Sequence, residues 1–139
     1  MGARVGQRLE SRVTLSRRSI AEFARACGDA NPLHHDEEAA ARTRFGGVIA
    51  SGPQLSSLLM GLTATRFSEE GAMLGLEFRF RFRRAVRAGE TVSLEWEVVA
   101  VRPHAGLGGD LAFLVGRVRA ADGGEAVRAV GKVLVTDAL

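Results

Sequence analysis

Two carboxylates, an amide and two imidazoles fall within eight residues, Asp29-Ala30-Asn31-Pro32-Leu33-His34-His35-Asp36. Carboxylate and imidazole groups exchange protons with a substrate only when they are held still relative to each other. Pro32 blocks a continuing helix and pushes Asn31 towards an extended shape, so the stretch reads as a stiff bend. A bend between Asp29 and His34 can turn both side chains into one cavity. Sharing a water there, they could take one proton and deliver another, as the addition of water across a polarised double bond requires. The competing reading has Asp29 buttressing the loop and His34 as a satisfied core histidine, and spacing alone favours it.

The neighbouring candidates carry less. His35 and Asp36 extend the cluster to types that can ligate a transition metal. Adjacent side chains seldom converge, however, so no metal is expected: Asp36 reads as a helix cap and His35 as exposed. Cys27 reads as a small core residue on a helix face, not as a nucleophile. Gly52, at the start of a helix, offers a backbone N–H along the helix dipole with no Cβ in the way, which suits a polarised carbonyl oxygen. Arg79, Arg81, Arg83, Arg84 and Arg87 interleave with Phe78, Phe80 and Phe82. A strand that points phenylalanines inward must point arginines outward, so this pattern reads as a solvated face and no nucleic-acid partner is expected.

These groups need elements to position them. Residues 5–15 suggest an extended segment. Ser19-Ile20-Ala21-Glu22 has capping-box spacing, and Ile20, Phe23, Ala24 and Cys27 then recur at helical intervals up to Gly28. Asp36 can cap a short helix through Ala41. Ser51-Gly52-Pro53 opens a long helix with Leu55, Leu58, Leu59 and Leu62 on its buried stripe, ending near Phe67. From Leu74 the period becomes two. Leu74, Leu76, Phe78, Phe80 and Phe82 share one face, and Val92, Leu94, Trp96 and Val98 share one face of a strand over Thr91–Val101. After a loop at Pro103–Asp110, strands over Leu111–Ala120 and Val127–Val135 complete an expected four-strand antiparallel meander. The fold class is α+β, a curved antiparallel sheet around a long central helix. One helix cannot cover both faces of such a sheet, so its edges call for another copy of the chain.

The 139 residues predict one domain spanning 1–139. Apolar residues make up 46%, charged residues 25%, and the net charge is +3, an ordinary globular balance. The single cysteine excludes an intrachain disulfide and fits a reducing compartment. No apolar run reaches membrane-spanning length, so a cytoplasmic location without membrane contact is expected.

Asp29-x-Asn31-Pro32-x-His34 resembles the signature of the MaoC-like (R)-specific enoyl-CoA hydratases and acyl dehydratases, which have the hot-dog fold. Phe23-Ala24 upstream, Phe45 and Ile49 leading to Gly52, and Phe82-Arg83-Arg84-Ala85-Val86-Arg87-Ala88-Gly89-Glu90 add to the likeness. The resemblance implies a helical overhang carrying the active-site loop and an Asp29–His34 dyad that adds water to a trans-2-enoyl-CoA to form a (3R)-3-hydroxyacyl-CoA. It implies Gly52 as the oxyanion amide, support from Asn31, Ser51 and Ser57, no cofactor, and a homodimer. Departures from the family pattern are Ser51 for a histidine, Met60 for a serine and Ala85 for a proline. Two other readings keep the fold: a thioesterase, disfavoured because residues 53–65 contain no acid, and a non-catalytic or heteromeric acyl-thioester-binding module.

Overall fold

The structure, a computed structural model, describes residues 2–139. In chain order it comprises β1 (Arg8–Thr14), α1 (Arg17–Ala26), a 3-10 turn (Pro32–His34), α2 (Glu37–Ala41), α3 (Gly52–Phe67), β2 (Ala72–Phe82), β3 (Thr91–His104), a second 3-10 turn (Ala105–Leu107), β4 (Gly109–Arg119) and β5 (Glu125–Thr136). The five strands form one antiparallel sheet in the order β1-β3-β4-β5-β2, and α3 packs against all five. This is the hot-dog arrangement, with α1, the first 3-10 turn and α2 as the helical overhang between β1 and α3.

The expected four-strand meander is corrected. β3, β4 and β5 form one, but β2 pairs with β5 and not with β3. The link from β2 to β3 explains the crossover. Arg83 N–H donates to the Ala126 carbonyl at 2.8 Å on the β5 side, and Gly89 N–H donates to the Leu15 carbonyl at 2.7 Å beyond β1. Between these points the link pairs with the segment before α3, through Ala50 N–H to Val86 O at 2.8 Å and Ala88 N–H to Val48 O at 3.0 Å. The crossover therefore fixes the approach to the α3 N-terminus.

Beneath α3, Leu55, Leu59, Thr63 and Phe67 are buried, while Leu58 and Leu62 are only half-buried. The expected leucine stripe is thus rotated towards Thr63 and Phe67. Trp96 stands at the centre: its Nε1–H donates to the Leu59 carbonyl at 2.8 Å, and Phe78 packs on it edge to face at 5.9 Å between centroids. A Cβ on Gly116 would lie 2.4 Å from the Trp96 ring, so only glycine leaves room for the indole.

β2 does not present five apolar residues on one face. A bulge between Gly75 and Glu77 shifts the register. Phe78, Phe80 and Phe82 pair with Gly131, Ala129 and Val127 on the helix side, whereas Leu74 pairs with Leu134 on the outer side. Leu76 occupies the bulge and is exposed. β3 runs three residues further than expected, to His104, because Pro103 and His104 still pair with Asp110 and Gly109. In α1 the cap is Ser16, not Ser19: Ser16 Oγ accepts from Ser19 N–H at 3.0 Å. Cys27 is the C-cap of α1 and is exposed, which corrects its placement in the core; the helix ends before its side chain can turn inward.

Candidate functional site

The bend begins where α1 stops. Gly28, with φ +74°, turns the chain. Its N–H donates to Arg25 O at 3.0 Å, and Asp29 N–H reaches back to Ala24 O at 2.8 Å, the bond pair that closes a helix over a left-handed glycine. Asp29 Oδ1 then accepts from Asn31 N–H at 2.9 Å, and Asn31 Oδ1 accepts from Leu33 N–H at 3.1 Å. These two local turns carry the chain into Pro32, whose fixed φ opens the 3-10 turn that ends on His34. Asp36 caps α2 as expected, accepting from Ala39 N–H at 3.0 Å.

His34 is buried, at 6% exposure. Its Nδ1 lies 2.8 Å from the carbonyl oxygen of Ile49. A carbonyl can only accept, so Nδ1 carries the hydrogen and the neutral ring presents a bare lone pair at Nε2. That Nε2 stands 3.5 Å from Asp29 Oδ2. The separation is long for a direct hydrogen bond and short enough for one water molecule to donate to both atoms. Asp29 Oδ1 is already engaged by Asn31, which leaves Oδ2 as the oxygen facing the ring. The structure thus brings Asp29 and His34 to one place, with Asn31 holding the carboxylate from behind.

Ile49 connects this pair to α3. It lies three residues before Gly52, within about 11 Å of chain, and its own N–H donates to Leu33 O at 3.1 Å. At the helix tip, Ser51 is the N-cap and is buried; its Oγ accepts from Gln54 N–H at 3.3 Å. Pro53 has no N–H. The donors of the first turn are therefore reduced to one: among the described residues, nothing takes up the Gly52 N–H. A Cβ on Gly52 would lie 3.1 Å from the Phe82 ring, so the absent side chain is space that the ring of β2 already uses.

Ser57 does not join this group. It is exposed and lines a hollow of about 420 Å³ with Phe23, Gln54, Leu58, Leu62 and Leu94, to which Asp29, His34 and Gly52 do not contribute, and no hydrogen bond links it to Asp29 or His34. Gln54 is buried, and its Oε1 has no protein partner. His35 is half-buried, not exposed, and its Nε2 lies 2.7 Å from the Asp29 carbonyl. Sequence reasoning missed three contributors here, His35, Ile49 and Phe82. Ile49 acts through its backbone and Phe82 through a crossover, and neither leaves a side-chain signature. Arg79 and Arg81 point outward, and Arg83, Arg117 and Arg128 converge on Glu125. Among the described residues, no group of three His, Cys, Asp or Glu side chains is placed to hold a metal ion, and no helix is long and apolar enough to cross a membrane.

Comparison with known proteins agrees with this fold. The family model described as a MaoC like domain matches residues 2–109. The chain is 36% identical over 90 residues to a 3-hydroxybutyryl-CoA dehydratase of Methylorubrum extorquens, a match spanning 65% of this chain and 57% of that protein. The chain thus covers just over half the length of that relative. It is 35% identical over 99 residues to an (R)-specific enoyl-CoA hydratase of Aeromonas caviae, spanning 70% of this chain and 72% of that one. Among solved structures, an (R)-hydratase from Aeromonas caviae superposes with a TM-score of 0.87 at 31% identity, covering 96% of this chain and 97% of the other. An R-hydratase from Pseudomonas aeruginosa also gives 0.87, at 28% identity, covering 97% and 83%. With the hot-dog fold, the Asp29–His34 bend and a family match over most of its length, the chain belongs to the MaoC-like domain family, whose relatives here are named hydratases and dehydratases.

Proposed function

We propose that the chain is a hydro-lyase that interconverts trans-2-enoyl-CoA and (3R)-3-hydroxyacyl-CoA. Asp29 and His34 are its proton-transfer pair, and the Gly52 N–H is its oxyanion donor. The observation that carries the reading is the 3.5 Å separation of Asp29 Oδ2 and His34 Nε2, two acceptors close enough to share one water lying beside them.

In the hydration direction the thioester oxygen takes the Gly52 N–H. A water held between the two acceptors presents its oxygen to C3. As the C–O bond forms, one water proton passes to the pair and the C2–C3 π electrons move towards the thioester, whose oxygen gains the charge that the helix-tip amide stabilises. The enolate-like species then takes the proton at C2, and the pair returns to its starting state. Dehydration runs the same steps backwards. Acid–base catalysis of this kind contributes about 10²–10⁴-fold, and a single oxyanion donor about 10²–10³-fold. The roles of Asn31 and Ser51 are structural: one fixes Asp29, the other removes Gln54 N–H from competition at the helix tip.

A second copy of the chain is the proposed partner. β2 is an 11-residue edge strand with a free side, and Leu74, Leu76 and Phe82 along it are 47%, 40% and 52% exposed. Long apolar edges invite pairing, and we read this one as the seam of a homodimer. The proposed setting is the cytoplasm, in keeping with an exposed, unpaired thiol at Cys27.

A turnover screen over short, medium, branched and dicarboxylic enoyl-CoAs tests the reading. Loss of enoyl absorbance with formation of the (3R) product supports it. Release of free thiol instead marks a thioesterase, and tight acyl-CoA binding without turnover marks a binding module; either result overturns it.

A further inference from the structure

We infer that His35 is a positioning residue for the reaction, a clamp that sets the Asp29 carboxylate against His34. The inference rests on the hydratase reading for its kinetic consequence, while its structural content stands apart from that reading.

Asp29 has four polar groups, two on its backbone and two on its side chain. Its N–H is held by Ala24 O at 2.8 Å, at the end of α1. Its Oδ1 is held by Asn31 N–H at 2.9 Å. Its carbonyl oxygen is held by His35 Nε2 at 2.7 Å. Only Oδ2 is left to face His34. Of these ties, His35 alone reaches back across the bend, closing residues 29–35 into a ring. Without it, Asp29 meets the turn that bears His34 only through Asn31, the N-cap of that turn, whose carbonyl accepts from His34 N–H at 3.0 Å, and Gly28 next to it is the residue best able to swivel.

The clamp is itself held. Arg17, at the start of α1, donates from Nη2 to the His35 carbonyl and faces Glu37 at 3.8 Å. Arg17 thereby joins α1 both to the His35 peptide and to the first residue of α2. The two histidines diverge, with ring centroids 6.5 Å apart at 74°. One imidazole reaches Ile49 and the other reaches Asp29. Adjacent residues thus anchor the two halves of the pair, and a displacement of about 1 Å between such halves can cost about a hundredfold in rate.

The chemistry of the two anchors differs. The Asp29 carbonyl only accepts, so His35 must carry hydrogen at Nε2, whereas the Ile49 carbonyl requires hydrogen at Nδ1 of His34. Neutral His34 and neutral His35 are opposite tautomers. The His35 clamp also survives protonation, since the imidazolium keeps its Nε2–H.

The test has two arms. Long-range 1H–15N correlation of the intact protein, recorded at about pH 8 where imidazoles are neutral, should show His35 as the Nε2–H tautomer and His34 as the Nδ1–H tautomer. The same tautomer on both residues overturns the inference. In the kinetic arm, His35→Leu removes the donor, and His35→Gln, whose amide nitrogen reaches as far as Nε2, restores it. The expected result is a kcat lowered on the order of tenfold to a hundredfold in His35→Leu, with KM within about twofold, and recovery of most of the rate in His35→Gln. Equal kcat in His35→Leu and wild type, with an unchanged melting temperature, overturns the clamp. So does a His35→Gln variant that is folded but no better than His35→Leu. If wild type turns over no enoyl thioester at all, the hydratase reading fails while the tautomer arm still decides the clamp. If His35→Leu does not fold, the His35→Gln rate and the tautomers decide it.

Discussion

The Nδ1 of His34 and the carbonyl of Ile49 meet at 2.8 Å, and this bond decides which nitrogen of the ring is free to act. The segment that receives the proton donor of the ring is the segment that leads into Gly52. His34 and the Gly52 amide, the proposed proton-transfer histidine and oxyanion donor, are thus held by one short piece of chain, itself pinned by the β2–β3 crossover.

His34→Asn separates the two jobs of that ring. The amide nitrogen of asparagine sits near the position of Nδ1 and keeps the bond to Ile49, but nothing replaces Nε2. Turnover should fall on the order of 10²–10⁴-fold with little change in stability. His34→Ala should lose the same activity and also leave the Ile49 carbonyl unpaired in a buried setting, at a cost of about 1–3 kcal/mol. Thermal melts beside initial rates check both.

Gly52→Ala places a Cβ 3.1 Å from the Phe82 ring. Because Phe82 is half exposed, the ring and the helix tip shift by a few tenths of an ångström and do not unfold. The expected cost is about tenfold in kcat, carried by a displaced amide. Phe82→Ala in the same chain should return part of it. A double-mutant cycle on kcat/KM measures that coupling, and additive effects would disconnect the ring from the helix tip.

Far from the site, Gly116→Ala drives a methyl group to 2.4 Å from the Trp96 ring, which is wedged between Phe78 and the Leu59 carbonyl. Overpacking of this kind destabilises by about 1–3 kcal/mol. Urea denaturation should show a lower midpoint with an unchanged slope.

Asp122 provides the acid dependence. Arg84 holds it with two hydrogen bonds, at 3.1 and 2.9 Å, and Gly124 N–H adds a third at 2.9 Å. The guanidinium first, then the amide, keeps the Asp122 carboxyl below its ordinary value of 3.8. A carboxyl depressed in the folded state binds fewer protons than the unfolded chain. Its contribution is therefore complete above 3.8 and is lost as pH falls from there through the lower folded value. Asp122→Asn should flatten the stability profile in that window and leave the neutral region little altered, as read from melts taken across acid pH.

Leu74→Lys with Leu76→Lys puts two charges along the free edge of β2. Sedimentation of the wild type as a dimer and of this variant as a monomer is the expected outcome; a monomeric wild type would remove the proposed seam.

Local signals in the chain were readable where one residue decides the outcome. Gly28 ends α1, Asp36 caps α2, and Ser51 with Pro53 opens α3, each through a bond or a fixed φ within three residues. Alternation also placed Val92, Leu94, Trp96 and Val98 inward without error. What could not be read was set by distant partners. β2 lies beside β5 because Arg83–Glu90 bonds to Ala126 at one end and Leu15 at the other, and no pattern within β2 states this. Leu74 faces outward because a bulge two residues on inverts the pleat. Ser19 and Cys27 were misplaced by a helix that starts one turn earlier and ends one residue earlier than the apolar spacing suggests. Within the candidate site, Asp29, Asn31, His34 and Gly52 were singled out by the family resemblance, since spacing alone favoured a structural reading of Asp29 and His34. His35 was not, because its partner is a backbone oxygen six residues away.

The central claim is that Asp29 and His34 work on one water beside the Gly52 amide. Following crotonyl-CoA absorbance with wild type and Asp29→Asn, at matched folding, tests it most directly. The account predicts hydration by wild type and a loss on the order of 10²–10⁴-fold in the variant. Equal rates in the two proteins, across a range of acyl lengths, would contradict it.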